Sequence, residues 1–204
     1  MKSIRKRLFA YIALAIAIAL IAINLIFGYE YPKDIQQRAN ELYEYCMKNG
    51  YNTHIGILVD YGVHSGKNRY FVWDFAMRKA VVSSVCPQGK GRGQTYGKDV
   101  FSNKPGSNCS SLGHYSIGKE RKMYTKNFNC FELDGLDASN SNARARSILL
   151  HPTYLFPISI YPLPINSAIP YSAGCVTIPP SKYKETAKFL RGAGDKPVIM
   201  WLYN

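Results

Sequence analysis

Apolar positions along this chain change period twice. Residues 8–27 (LFAYIALAIAIALIAINLIF) carry no charge at all. A helix rising 1.5 Å per residue covers the roughly 30 Å of a hydrocarbon core in about that length. The preceding MKSIRKR is basic, and positive flanks stay on the cytoplasmic side. The stretch closes as INLIFGYEYP, without a small-x-small cleavage site. The pattern therefore predicts an uncleaved signal anchor. Residues 1–7 form a cytoplasmic basic flank, 8–28 cross the membrane, and 29–204 lie outside it.

In 33–49 the period becomes helical: Ile35, Ala39, Leu42 and Cys46 recur on one face, with Pro32 at the start and Gly50 as a stop. The period then shortens. HIGILVDY (54–61), RYFVWDF (69–75) and AVVSSVC (80–86) are β-branched or aromatic runs separated by GVHSGKN and AMRK. Such spacing predicts an antiparallel meander. Residues 87–113 are rich in Gly, Ser and Asn and read as a long loop, a length more often functional than structural. HYSIG, the FEL of 131–133 and SILLH (147–151) read as further short strands, and 152–170, with five prolines, as a second surface loop. PPSKYKETAKFLRGAG (179–194) has Pro near the first turn and Gly at the end of a short helix. PVIMWLY (197–203) reads as a last strand. The exported part is mostly β with two short helices.

The 47% apolar content excludes a disordered chain, and a lone long apolar stretch excludes a multi-span transporter. The net charge of +13 includes Lys2, Arg5, Lys6 and Arg7, leaving roughly +9 for the rest. That excess suits an acidic membrane surface or an acidic wall polymer. No basic block interleaved with aromatics and no zinc-finger or RNA-binding signature occurs, so nucleic acid is not expected. Cys46, Cys86, Cys109, Cys130 and Cys175 are five, an odd number. In an oxidising compartment at least one stays unpaired, and the spacing does not choose among the pairings of the rest. No CxxC or CxxH occurs, so no metal is implied, and no cofactor either.

One thiol has a setting suited to reaction. Cys175 lies in IPYSAGCVTIPP, where Ser172, Ala173 and Gly174 are small enough to let backbone approach a substrate. Successive N–H groups of such a turn can hold a developing oxyanion. A thiol needs a base to become a thiolate near neutral pH. His151 ends the apolar run RSILLHP and can emerge at a strand end; His54, His64 and His114 are the remaining histidines. Spacing alone leaves two readings: a Cys/His pair, or a core thiol with an unrelated histidine.

SAGCV resembles the SxGC signature of murein L,D-transpeptidase catalytic domains, which have the YkuD-like fold. ILLH resembles the strand bearing that family's histidine. FSNKPGSNCSSLGHYSIG and GLDASNSNARARSILLH (135–151) resemble the FSN, SSLG, GLD and N..AR pattern of one branch. The meander likewise looks like its opening strands, so the resemblance covers roughly 35–203. It implies a β-sandwich or barrel on a bacterial inner-membrane anchor, facing the periplasm and wall. It also implies Cys175 as nucleophile, His151 as general base, Gly174 and Ser172 as support, and peptidoglycan stem peptides as partner. The thiolate would attack the diamino acid–D-Ala bond of a tetrapeptide, and an amine acceptor would resolve the thioester into an L,D-crosslink. Water as acceptor would make the same site an L,D-carboxypeptidase, and an inert thiol would leave an anchored wall-binding module. The chain departs from the family in having Pro152 where Gly usually follows the histidine. It also has Val176 and Thr177 where many members carry an Arg. Arg144, Arg146 and Lys182 are candidate replacements for that cation.

Overall fold

The computed structural model describes residues 2–27, 30–91, 100–123, 127–153, 161, 163 and 172–204, apart from the side chains of 2–4, 24 and 27. Helix α1 (Lys2–Phe27) is long and apolar enough over Arg5–Ile23 to cross a membrane. None of that window is buried against the rest of the chain. Helix α2 (Ile35–Asn49) forms where the helical period runs. Its Ile35, Ala39, Leu42 and Cys46 are buried, and Gly50 closes it in the left-handed region at φ 75°, a conformation glycine adopts without steric cost. The expected start at residue 33 moves to Ile35, whose N–H bonds to Pro32 O.

The strands are β1 (Ile55–Asp60), β2 (Tyr70–Asp74), β3 (Lys79–Ser84), β4 (Gly113–Met123), β5 (Phe128–Gly135), β6 (Leu149–Pro152), β7 (Val176–Ile178) and β8 (Ile199–Tyr203). Helix α3 (Pro180–Arg191) separates β7 from β8. They form an eight-stranded sheet in the order β3-β2-β1-β8-β4-β5-β6-β7. The meander is antiparallel as expected. The last strand does not sit at an edge: β8 runs parallel to β1 and antiparallel to β4, joining the meander to the hairpin β4–β5.

Alternation along the strands builds two cores. Ile57 and Val59 join residues from all eight strands and Tyr183 and Ala187 of α3 in the inner core. Leu58, Phe71, Trp73, Ile199 and Tyr203 face the other way, under the buried stripe of α2. With both faces covered, β1 is buried at every position, which explains its unbroken apolar run. The Thr177 backbone on the outermost strand β7 bonds to the thiol of Cys86, just past β3 at the opposite edge. The sheet therefore curls into a nearly closed barrel, as the resemblance implied.

Two elements differ from expectation. HYSIG extends to Met123 through the charged GKERKM, with a register shift between Ile117 and Glu120; exposed charges hide the strand period there. The strand β7 is new, three residues between Cys175 and Pro179. The predicted proline-rich loop falls largely on 154–171, and all but Tyr161 and Leu163 of that stretch lies outside the described residues.

Candidate active site

The motifs around the candidate cysteine hold one another. The Asn103 amide donates to Ala138 O (3.2 Å) and Ser141 Oγ (3.1 Å), and its Oδ1 accepts from Asn142 N (3.1 Å). Buried Asn140 donates to His114 O (2.8 Å) and accepts from Asp137 N (2.9 Å). Arg146 reaches across, giving Nη1 to Ser102 O (2.9 Å) and Ser111 Oγ (3.1 Å) and Nη2 to Cys109 O (2.5 Å). Such charge-assisted bonds contribute about 1.5–3 kcal/mol each. The 100–112 loop and the 137–148 segment are thereby locked into one brace.

The turn carrying the cysteine rests on that brace. Gly174 has φ 112°, and a Cβ there would lie 2.5 Å from Cys109 O and 2.8 Å from Arg146 Nη2. Glycine is thus required twice, by conformation and by space. Ser172 Oγ donates to Cys175 O (2.9 Å) and accepts from Gly174 N (3.2 Å), closing the turn on itself. The Gly174 amide expected to face an oxyanion is therefore engaged inside the turn. Lys90 N donates to Ser172 O at 2.9 Å, fixing the other side.

Cys175 is half-buried, and its thiol donates to Ser147 O at 3.7 Å. It immediately precedes β7, which pairs in parallel with β6 in the register Leu150↔Val176, His151↔Thr177 and Pro152↔Ile178. Leu150, Val176 and Ile178 fill the inner core. By alternation His151 and Thr177 take the other side of this sheet edge. The buried Thr177 hydroxyl has no hydrogen-bond partner among the described residues.

Among the described residues a carbonyl and an aromatic ring hold the imidazole of His151. Its Nδ1 lies 2.9 Å from Pro152 O; a carbonyl accepts only, so Nδ1 carries the proton and Nε2 is the basic nitrogen. Phe128, at the start of β5, lies parallel to the ring, with centroids 5.0 Å apart and planes 9° apart. Nothing in the sequence pattern marked Phe128, because a strand-end aromatic has no distinctive spacing.

Among the described residues the other thiols are placed for packing. Burial pushes Cys46 up to about 12, Cys86 up to about 11, and Cys130 upward as well. None of the five cysteines forms a disulfide among the described residues. His114 is bonded to Asp137 (2.9 Å) and enclosed by rings, and burial lowers the pKa of His64. The proposed stand-in cations are engaged: Arg144 with Glu132 and Asp134, Lys182 with Glu185 (3.0 Å), and Arg146 in the brace.

The family model of the L,D-transpeptidase catalytic domain matches residues 30–198. The chain belongs to that family. The brace, the turn and the β6–β7 edge of this L,D-transpeptidase catalytic domain carry the motifs read from the sequence. No curated protein matches the chain. Among solved structures, the helical cell shape determining protein Pgp2 of Campylobacter jejuni matches with a TM-score of 0.46 and 11% identity, over 83% of this chain and 56% of that one. A lysine-to-alanine mutant of Pgp2 matches with a TM-score of 0.42 and 11% identity, over 85% and 57%. This L,D-transpeptidase-family chain thus spans a little over half the length of those proteins.

Proposed function

We propose that the protein is an inner-membrane-anchored L,D-transpeptidase in which Cys175 is the nucleophile and His151 its general base. The observation that carries the reading is the parallel β6–β7 register, which sets the strand of His151 beside the strand that Cys175 opens. His151 Nε2 takes the thiol proton. The thiolate attacks the carbonyl of the third residue of a tetrapeptide stem, and the C–N bond to the terminal D-Ala breaks. The leaving amine takes its proton from the imidazolium, and a thioester remains on Cys175. An amine of a second stem attacks this carbonyl, His151 accepts its proton, and the thiolate leaves, closing the cycle. The oxyanion in each step is met by the Cys175 N–H, with the Gly174 N–H exchanging its 3.2 Å bond to Ser172 for it. Residues 8–28 hold 29–204 on the periplasmic face, where its positive charge favours encounter with anionic wall polymers.

Product analysis tests this. The full chain in detergent, incubated with disaccharide-tetrapeptides, is expected to yield crosslinked dimers, and Cys175→Ala none. Dimers from the Cys175→Ala protein would overturn the reading. Shortened tripeptides without dimers would make water the acceptor.

A further inference from the structure

The peptide bond broken in the proposed reaction lies one residue from a free carboxylate, so a cation near the Cys175 turn would select the substrate. Val176 and Thr177 are buried and uncharged. Arg144, Arg146 and Lys182 are engaged elsewhere. Lys90 is different. Its own N–H bonds to Ser172 O at 2.9 Å, three residues before the thiol. On either side, Gly89 N donates to Ser110 Oγ (2.9 Å) and Gly91 N to Asn108 O (2.9 Å).

Both flanking glycines are pressed against the same loop. A Cβ at Gly89 would lie 2.6 Å from Asn108 O, and one at Gly91 would lie 2.1 Å from Cys109 Sγ. Residue 90 lies between two positions that face that loop. Lys90 is exposed there and makes no ion pair among the described residues. Three backbone hydrogen bonds thus pin the segment that carries this exposed lysine, one of them to the turn itself.

We propose that Lys90 is the specificity-determining residue of this site, its ammonium taking the terminal carboxylate of the donor peptide. The inference rests on Cys175 being the acylated residue.

The test uses the full chain in detergent and two donor peptides, a tetrapeptide stem with a free terminal carboxylate and the same peptide amidated at that end. Acyl-enzyme formation is followed by intact mass. Wild type is expected to favour the free acid about ten- to a hundredfold, the worth of a charge-assisted bond. Lys90→Met should bring that ratio close to one, Lys90→Arg should restore most of it, and iodoacetamide alkylation of Cys175 should proceed at the wild-type rate in all three. The ratio is internal to each protein, so a disturbed turn cannot imitate the result. An unchanged ratio in Lys90→Met overturns the role of Lys90 alone. A wild type acylated by neither peptide overturns the Cys175 reading, and the Lys90 assignment falls with it.

Discussion

Two histidines of this barrel commit the same ring nitrogen to different partners. His114, on β4 near the middle of the sheet, gives Nδ1 to Asp137 (2.9 Å) and stacks between Tyr45 (4.0 Å) and Trp201 (5.0 Å). The ring column continues to Tyr51 and Tyr203, with the Arg38 guanidinium 5.4 and 5.2 Å from the Trp201 and Tyr203 centroids. Both faces of that imidazole are covered, and its partner is a charge. His151, on the strand next to the edge, has a backbone carbonyl at Nδ1 and stacks on Phe128. A carboxylate partner and two ring faces make a structural fastening. A neutral carbonyl partner fixes the tautomer without adding a charge, as the proposed role of His151 as a base requires.

Substitution of the two rings should separate these roles most strongly. His151→Ala is expected to slow acyl-enzyme formation by about 10²–10⁴-fold with little change in unfolding midpoint. His114→Ala should lower stability by about 1–3 kcal/mol while leaving the rate per folded molecule near wild type. A loss of rate in both, or in neither, would erase the distinction. Gly174→Ala joins the regions, since it presses on the brace and displaces the turn. Strain at φ 112° together with a 2.5 Å contact should cost about 3 kcal/mol and remove activity as well, read by urea unfolding beside turnover.

The arginines give a smaller contrast. Arg146→Met removes the bonds to Ser102, Ser111 and Cys109 and should cost more than about 3 kcal/mol. Arg144→Met, at an exposed ion pair with Glu132 and Asp134, should cost less than about 1 kcal/mol. Equal costs would show that the brace does not depend on Arg146.

Alkaline pH should weaken the fold gradually. The thiols of Cys46 and Cys86 are raised to about 12 and about 11 by burial, whereas an unfolded thiol titrates near 8.5. The unfolded state loses its protons first. The stability from these groups is therefore complete below about pH 8.5 and falls as pH rises towards their folded values, by up to about 1.4 kcal/mol per thiol per pH unit. Unfolding free energies between pH 7 and 10 would check this. The smallest expected effect is a gain. Thr177→Val removes a buried hydroxyl without a described partner and should stabilise by about 0.5–1 kcal/mol; a loss would mean that the hydroxyl has a partner in the working enzyme.

Much of this was legible before the fold. Helix α2 and the meander follow from period alone, because one buried stripe and one buried core dictate where apolar residues fall. The central place of β8 was not legible, since periodicity says which face is buried but not which neighbour pairs. Strand β7 was hidden by its length, three residues against a cysteine turn and two prolines. Within the site, SAGC and ILLH drew attention to Cys175 and His151, and the β6–β7 register places their strands side by side. Arg144 and Arg146 were indistinguishable in sequence, two positions apart in one motif. One turns outward to carboxylates and the other inward to carbonyls, a difference set by the path of the 137–148 segment. Phe128 and Lys90 gave no signal, because their significance comes from residues far along the chain.

The central claim is that Cys175 carries the acyl group. Intact mass of the full chain mixed with a tetrapeptide donor and quenched in acid tests it most directly. The account predicts an adduct equal to the donor minus its terminal D-Ala, mapped by peptide digestion to Cys175 and missing from Cys175→Ala. An adduct that persists in Cys175→Ala, or a wild-type protein that converts donor without ever carrying one, would contradict it.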